Sequence, residues 1–164
     1  MLKKKEAQKI ADRIARSLGV RKGPKVKIGK IKREGWSGRY DPNRVAVHLK
    51  YKQGRGEPDL HKTLLSHELA HWASRLEYCG GNVKKKNCSY KGQHDKRFYK
   101  VLKPIHKKLN IKKEHADALE KRAGYSPPDG WYNAIYQSGN TKPRRKKSRK
   151  EKRSFLSRLF AAAA

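Results

Sequence analysis

The chain has little of three things: cysteine, acidic side chains and continuous apolar sequence. Two cysteines in 164 residues are too few for the disulfide scaffold of a small secreted protein. No stretch approaches the roughly 20 apolar residues that a membrane-spanning helix needs. The N-terminus also lacks the apolar segment and cleavage site of a secretory signal. We therefore expect an intracellular protein, in the cytoplasm or nucleoid, or in the nucleus of a eukaryotic host.

Acidic residues are greatly outnumbered by basic ones. The chain has 14 Asp and Glu against 44 Lys and Arg, which gives a formal net charge of +30 at neutral pH. A charge of this size does not determine the fold, but it predicts attraction to polyanions. We expect DNA or RNA as a partner, bound electrostatically and without sequence preference.

The apolar and basic residues are distributed unevenly, which divides the chain into three parts. Residues 1–124 contain the periodic apolar segments and form the predicted domain. Residues 125–141 are an aromatic segment that either docks on this domain or stacks on bases, and docking is the favoured interpretation. Residues 142–164 form a polybasic tail that we expect to be disordered. Its predicted phosphate-binding residues are Arg144, Arg145, Lys146, Lys147, Arg149, Lys150, Lys152 and Arg153.

Apolar periodicity in the first part of the chain predicts an α+β fold. Residues 4–18 repeat with a helical period, and Gly19 follows as a stop signal. Residues 26–31 and 45–51 alternate as strands do, and turn-forming residues fill the interval between them. Two strands joined by a turn indicate a hairpin or a meander, so we expect a short antiparallel sheet.

The segment TLLSHELAHW at residues 63–72 is the most informative in the chain. It contains His-Glu-x-x-His, in which His67 and His71 share one face of a helix and can bind one metal ion. Glu68 lies about 100° further round the helix, where its carboxylate can reach a metal-bound water without being a ligand. This helical context favours a metal site over a chance pattern.

The helix that carries this motif is predicted for residues 60–76. Asp59 is its expected N-cap. His61 lies six residues before His67, off the ligand face, and we expect it at the surface. An apolar stripe suited to burial is formed by Leu65, Leu69, Trp72 and Leu76.

A zinc hydrolase needs three protein ligands and one open position for water. The best candidate for the third ligand is His94, at the entrance of a helix that has Asp95 as its expected N-cap. Pro104 is expected to end or kink this helix at Lys103. A further helix is predicted for residues 112–123. The weaker candidates for the third ligand are Glu77, His106, Glu114 and His115.

The two cysteines, Cys79 and Cys88, flank a basic loop between the motif helix and His94. They can form a disulfide, join a metal site or remain free. A second structural zinc site would need two more suitably spaced histidines, which the sequence does not provide. The favoured interpretation is free thiols or a transient bridge.

Residues 63–72 together with GQHDKRFY at residues 92–99 resemble the SprT-like (Spartan-like) zinc metallopeptidases. In that family, His-Glu-x-x-His is followed by a short Gly/His element and then an aromatic residue. The similarity covers residues 36–103. Asp95 replaces a glycine that is usual after the third histidine, the loop before His94 is long, and the four-cysteine zinc ribbon of many members is missing.

The resemblance implies a small zincin-like domain, with the sheet packed on the motif helix. It further implies one zinc ion held by His67, His71 and His94, Glu68 as general base, and proteolysis of DNA-attached proteins. In zinc hydrolases of this kind the strand at residues 45–51 lines the cleft, where an extended peptide adds to its edge. The candidate oxyanion donors are Tyr40, Tyr90 and Tyr99.

The sequence therefore predicts a zinc-dependent endopeptidase whose protein substrates are associated with nucleic acid. The alternative is a non-catalytic DNA- or RNA-binding protein with a structural or vestigial zinc site. Glu68 favours the enzyme, because a purely structural site does not need an acidic residue beside its first ligand. Such a site also tends to be closed by a fourth protein ligand.

Overall fold

The structure is a computed structural model that describes residues 2–29, 36–51, 58–82, 88, 90 and 94–123. Its elements are α1 (Lys4–Ser17), β1 (Lys25–Gly29), β2 (Trp36–Asp41), β3 (Ala46–Tyr51), α2 (Pro58–Tyr78), α3 (Lys96–Leu109) and α4 (Lys113–Ala123). The predicted α+β class is confirmed for this part of the chain. The predicted aromatic segment at residues 125–141 and the polybasic tail at residues 142–164 lie outside the described residues.

The three strands form a mixed sheet in the order β1-β3-β2. β1 runs parallel to β3, with Val26 opposite Val47, and β2 runs antiparallel to β3, with Gly38 opposite Leu49. The predicted hairpin between residues 26–31 and 45–51 was therefore wrong, because those two strands are parallel neighbours. β2 was missed because its sequence, WSGRYD, is rich in residues that are typical of turns.

The connection from β2 to β3 is a tight turn. The Asp41 carboxylate accepts hydrogen bonds from the backbone N–H groups of Asn43, at 3.0 Å, and Arg44, at 3.3 Å. Val45 then adopts a left-handed backbone conformation with a φ of 46°. The strand predicted to begin at Val45 consequently begins at Ala46.

α1 covers one side of the sheet with an alanine-rich apolar face. Its buried residues are Ala7, Ile10, Ala11, Ile14 and Ala15. The Gln8 side chain fixes the helix to the start of β1, since it accepts a hydrogen bond from the Val26 backbone N–H at 2.9 Å and donates one to the Pro24 carbonyl at 3.2 Å. Gly19, with a φ of 76°, ends the helix as predicted.

α2 is the central helix and packs against α1, α3, α4, β2 and β3. It extends beyond the predicted bounds, so Asp59 lies in its first turn and is not an N-cap. The Asp59 carbonyl accepts a hydrogen bond from the Thr63 hydroxyl at 2.7 Å. His61 is also not a surface residue. It is only 2% exposed, and its Nδ1 accepts a hydrogen bond from the Leu2 backbone N–H at 3.4 Å.

α3 begins as predicted, because the Asp95 carboxylate accepts a hydrogen bond from the Phe98 backbone N–H at 2.9 Å. Of the two effects predicted for Pro104, an end or a kink at Lys103, the end was wrong. The helix continues for five more residues to Leu109 and ends at Asn110, which has a left-handed φ of 51°. A proline removes one helical hydrogen bond, and here the apolar face on both sides of it is buried, which offsets that loss. This face includes Val101, Leu102 and Ile105.

α4 matches the helix predicted for residues 112–123 to within one residue. It packs against α2, so α2, α3 and α4 together surround the motif histidines. No helix among the described residues is both long and apolar enough to cross a membrane.

Candidate metal centre

Three histidines converge between α2 and the start of α3. One ring nitrogen from each of His67, His71 and His94 lies within 4.8 Å of the others. The Nε2 atoms of His67 and His94 are 2.8 Å apart. In a tetrahedral zinc site, nitrogens about 2.0–2.1 Å from the ion lie roughly 3.3 Å from each other. The cluster can therefore hold one metal ion with small side-chain adjustments.

Phe98 supports all three histidines from one side. Its fully buried ring lies 5.0 Å from the ring of His67, 4.5 Å from that of His71 and 4.6 Å from that of His94, measured between centroids. Phe98 is held on the first turn of α3, which the Asp95 cap fixes next to His94. One aromatic side chain thus packs against all three imidazoles and limits their orientations.

Glu120 on α4 fixes the orientation of His67. Its Oε1 lies 3.2 Å from His67 Nδ1, and its Oε2 lies 3.5 Å from the Tyr99 hydroxyl. A carboxylate at Nδ1 favours the tautomer with its proton there, so that Nε2 is left to bind a metal. Glu120 is only 2% exposed, so this contact is formed in the interior.

Sequence reasoning did not identify Glu120. Among the acidic residues of this helix it considered only Glu114, as a weaker alternative ligand. The available signal was the position of Glu120 on the apolar face of the predicted helix, four residues after Ala116 and next to Leu119, both of which are buried. An acidic side chain on a buried helix face needs a polar partner, and His67 is that partner.

Glu68 is buried beside the cluster and close to β2. A Cβ atom at Gly38 would lie 2.5 Å from Glu68 Oε1, so this strand position has room only for glycine. Burial raises the pKa of Glu68 to about 7, against the lowering effects of nearby His67 and of a hydrogen bond from the Tyr40 backbone. A carboxyl group in this range can both accept and release a proton near neutral pH.

Burial also favours the neutral form of His94. It lowers the pKa of His94 to about 4, with a further lowering from nearby His67. The neutral imidazole is the form that binds a metal. Burial also lowers the pKa of His106 on α3 to about 3, with a further lowering from nearby His67.

The weaker candidates for the third ligand do not join the cluster. Within the described part of the chain, the group of metal-binding side chains consists of His67, His71 and His94. Among the candidate oxyanion donors, the Tyr99 hydroxyl faces Glu120, and burial raises the pKa of Tyr40 to about 12. Neither observation assigns an oxyanion donor.

Cys79 and Cys88 are joined by a disulfide, with their Cα atoms 5.7 Å apart. Of the two favoured alternatives, free thiols were therefore wrong, and whether the observed bridge is transient stays a prediction. Their pairing follows from the end of α2, where Gly80 and Gly81 adopt positive φ values of 66° and 90°. The Gly81 N–H donates to the Leu76 carbonyl at 2.8 Å, which closes the helix and reverses the chain direction.

The predicted nucleic-acid-binding residues of the tail, from Arg144 to Arg153, lie outside the described residues. No protein-family model, curated protein or solved structure matches this chain.

Proposed function

We propose that this protein is a zinc-dependent endopeptidase of the SprT-like type that acts on proteins associated with nucleic acid. The observation that supports this proposal best is the position of Glu68. It is a buried carboxylate next to the three-histidine cluster, but it is not part of the cluster. A site that only stabilises a fold has no use for such a group.

The donor set fits zinc. Three imidazoles suit zinc, and three protein ligands leave a fourth position open for water or substrate. His67, His71 and His94 would hold the ion, and Glu120 and Phe98 would keep the imidazoles oriented. Zinc held in this way lowers the pKa of a coordinated water to about 7 and polarises a peptide carbonyl.

Glu68 supplies the proton transfers of the proposed reaction. Its carboxylate accepts the proton of the attacking water and then passes it to the leaving amine. This carboxylate accepts a hydrogen bond from the Tyr40 backbone and lies against Gly38 of β2.

A protein substrate would bind along β2. The sequence pointed to the strand at residues 45–51, but that strand is β3, which is paired on both sides. β2 is at the edge of the sheet, and no described strand pairs with its outer side. An extended peptide added to this edge passes Gly38, and therefore Glu68.

The net charge of +30 supports the proposal that the protein encounters its substrates on nucleic acid. A strongly basic protein accumulates on DNA or RNA through phosphate contacts. Protein substrates on the same polymer then have a higher effective concentration than free ones. We therefore expect DNA to stimulate cleavage of DNA-bound proteins more than cleavage of free proteins.

The test is cleavage of casein and of histones by the zinc-loaded protein, with and without DNA, in wild type and in Glu68→Gln. We expect one zinc ion per chain in both, and loss of cleavage only in the variant. Glu77→Gln is the matched control, because it makes the same change on the same helix outside the cluster. Cleavage that survives Glu68→Gln contradicts the proposed mechanism. Zinc binding without cleavage by the wild type under any condition supports the non-catalytic nucleic-acid-binding alternative.

A further inference from the structure

The segment that leads to the third metal ligand is attached to the end of α2 by a covalent bond. Cys79 directly follows the last residue of α2 and is held to that helix, since its N–H donates to the Arg75 carbonyl at 2.9 Å. Cys88, its disulfide partner, is six residues before His94. The disulfide therefore fixes Cys88 to the end of α2. Cys88 is close in sequence to His94, the ligand that is not on α2.

Noncovalent contacts reinforce the attachment. The Arg75 guanidinium donates a hydrogen bond to the Tyr90 carbonyl at 3.1 Å. The Tyr90 ring packs on the Tyr78 ring with centroids 5.4 Å apart, and the Arg97 guanidinium lies 4.9 Å from the centroid of the Tyr78 ring. These contacts lie on both sides of His94 in the sequence, so its position is restrained from both directions.

We propose that the Cys79–Cys88 disulfide is a redox-dependent positioning element of the metal centre, so that the oxidised protein binds zinc more tightly than the reduced protein. The inference rests on the proposed zinc site and concerns its regulation. Neither cysteine is a ligand, and both act through the position of His94.

Loop-closure entropy gives the size of the effect. Without the disulfide, the nearest preceding residue fixed at the end of α2 is Cys79, which is 15 residues before His94. With the disulfide, it is Cys88, which is six residues before His94. The entropy of closing a flexible loop varies as three-halves of the logarithm of its length, so this change alone alters affinity about fourfold. Weakening of the contacts made by Tyr90 would add to this factor.

The redox step is the two-electron reduction of the disulfide to two thiols. A tertiary phosphine attacks one sulfur and breaks the S–S bond; water then gives the phosphine oxide, and the two cysteines leave as thiols. The phosphine loses two electrons and the disulfide gains them. Because the cytosol keeps most thiols reduced, the bond would form in an intracellular protein under oxidising conditions. The zinc centre would then be strengthened when the surroundings become oxidising.

The experiment measures zinc affinity by competition with a chromophoric chelator. It compares the oxidised wild type with the Cys79→Ser/Cys88→Ser variant, which removes the bond without adding thiolates that bind zinc. The same comparison is repeated in a His94→Ala background. We expect the disulfide to tighten zinc binding at least about fourfold in the first pair and to have no effect in the second.

Equal affinity of the oxidised wild type and the serine variant overturns the inference. So does a difference that persists in the His94→Ala background, because the disulfide would then act through general stability. If the serine variant does not fold, the Cys79→Ala/Cys88→Ala variant takes its place, with circular dichroism to confirm that it is folded. Absence of zinc binding in every form overturns the proposed metal centre itself.

Discussion

The two ligands on α2 and the third ligand, His94, are held in place by different interactions. His67 and His71 are four residues apart on a helix buried on several sides, and helix geometry alone brings their ring centroids to 5.0 Å. His94 is outside any helix and half-buried. Its position depends on the Phe98 ring and on the disulfide-anchored segment before it.

The difference shows where the free energy of metal binding is sensitive to change. The cost of ordering the α2 pair is met when the helix folds, whether or not a metal is present. The cost of ordering His94 depends on loop closure and tertiary contacts, each of modest strength. Regulation and mutational sensitivity are therefore expected on the His94 side, and robustness is expected on the α2 side.

The strongest test of this contrast removes one ligand from each region. If three ligands share about 12 kcal/mol of zinc-binding free energy, each loss costs about 4 kcal/mol, or roughly a thousandfold in affinity. We expect His71→Ala to reduce zinc affinity more than His94→Ala, because part of the binding energy of His94 is offset by the cost of ordering it. Chelator competition measures both variants. His115→Ala, on α4 and outside the cluster, is the control and should bind zinc as wild type does. A larger loss for His94→Ala would reverse the contrast.

A second test weakens the α2 side through its orienting carboxylate. Glu120→Gln replaces a charged acceptor next to His67 Nδ1 with a neutral side chain of the same shape. We expect zinc affinity to fall between about tenfold and a hundredfold, which is typical for partners of metal-binding histidines. The exposed Glu114 on the same helix gives the matched control, Glu114→Gln. Unchanged zinc affinity in Glu120→Gln would show that helix geometry alone orients His67.

A third test introduces a methyl group between the sheet and α2. In Gly38→Ala the new Cβ would lie 2.5 Å from Glu68 Oε1, so β2 or the carboxylate must move. Overpacking of this kind typically costs about 1–3 kcal/mol of unfolding free energy. Urea unfolding of the zinc-free protein measures the loss. In the control, Gly29→Ala on β1, the nearest atom to the new Cβ is 3.6 Å away, and we expect a smaller change. Equal effects of the two substitutions would show that the contact with Glu68 is not critical.

The smallest expected effect concerns the pH dependence that His106, on α3, gives to stability. Burial lowers the pKa of His106 in the folded state to about 3, while the unfolded chain titrates near 6.5. The unfolded state therefore binds the proton more tightly, and this residue destabilises the fold as pH falls below about 6.5. Between pH 7.5 and 5.5 the loss is about 1.4 kcal/mol.

Denaturant unfolding of the zinc-free protein at the two pH values, in wild type and in His106→Gln, isolates this contribution. The variant should lose about 1.4 kcal/mol less stability than the wild type over the same interval. The difference between the two losses does not depend on how stable the variant is at neutral pH. Identical losses would mean that His106 is protonated in the folded protein or is not buried from water.

The same contrast explains which features could be predicted from sequence. The spacing of His67 and His71, the Asp95 cap and the Gly19 stop are local patterns, and each was predicted. His94 was identified from its place before a helix, and the structure brings it to the other two histidines. Local geometry of this kind is determined by a few consecutive residues.

The features that were missed all depend on residues distant in the chain. β2 resembles a turn in sequence because it needs glycine at position 38, where Glu68 of α2 approaches it. Glu120 has its role only through a contact 53 residues away in the sequence. Helix α3 passes through Pro104 because tertiary burial outweighs a local breaking signal. Such contacts cannot be derived from the periodicity of one segment.

The most direct test of the proposed centre is zinc K-edge X-ray absorption spectroscopy of the protein loaded with one zinc per chain. The His67, His71 and His94 site predicts three imidazole nitrogens and one further light atom, all at about 2.0–2.1 Å from zinc. Sulfur scattering at about 2.3 Å would assign the ion to the cysteines instead. A fourth imidazole would show a closed, structural site, and either result would contradict the open three-histidine centre proposed for this protein.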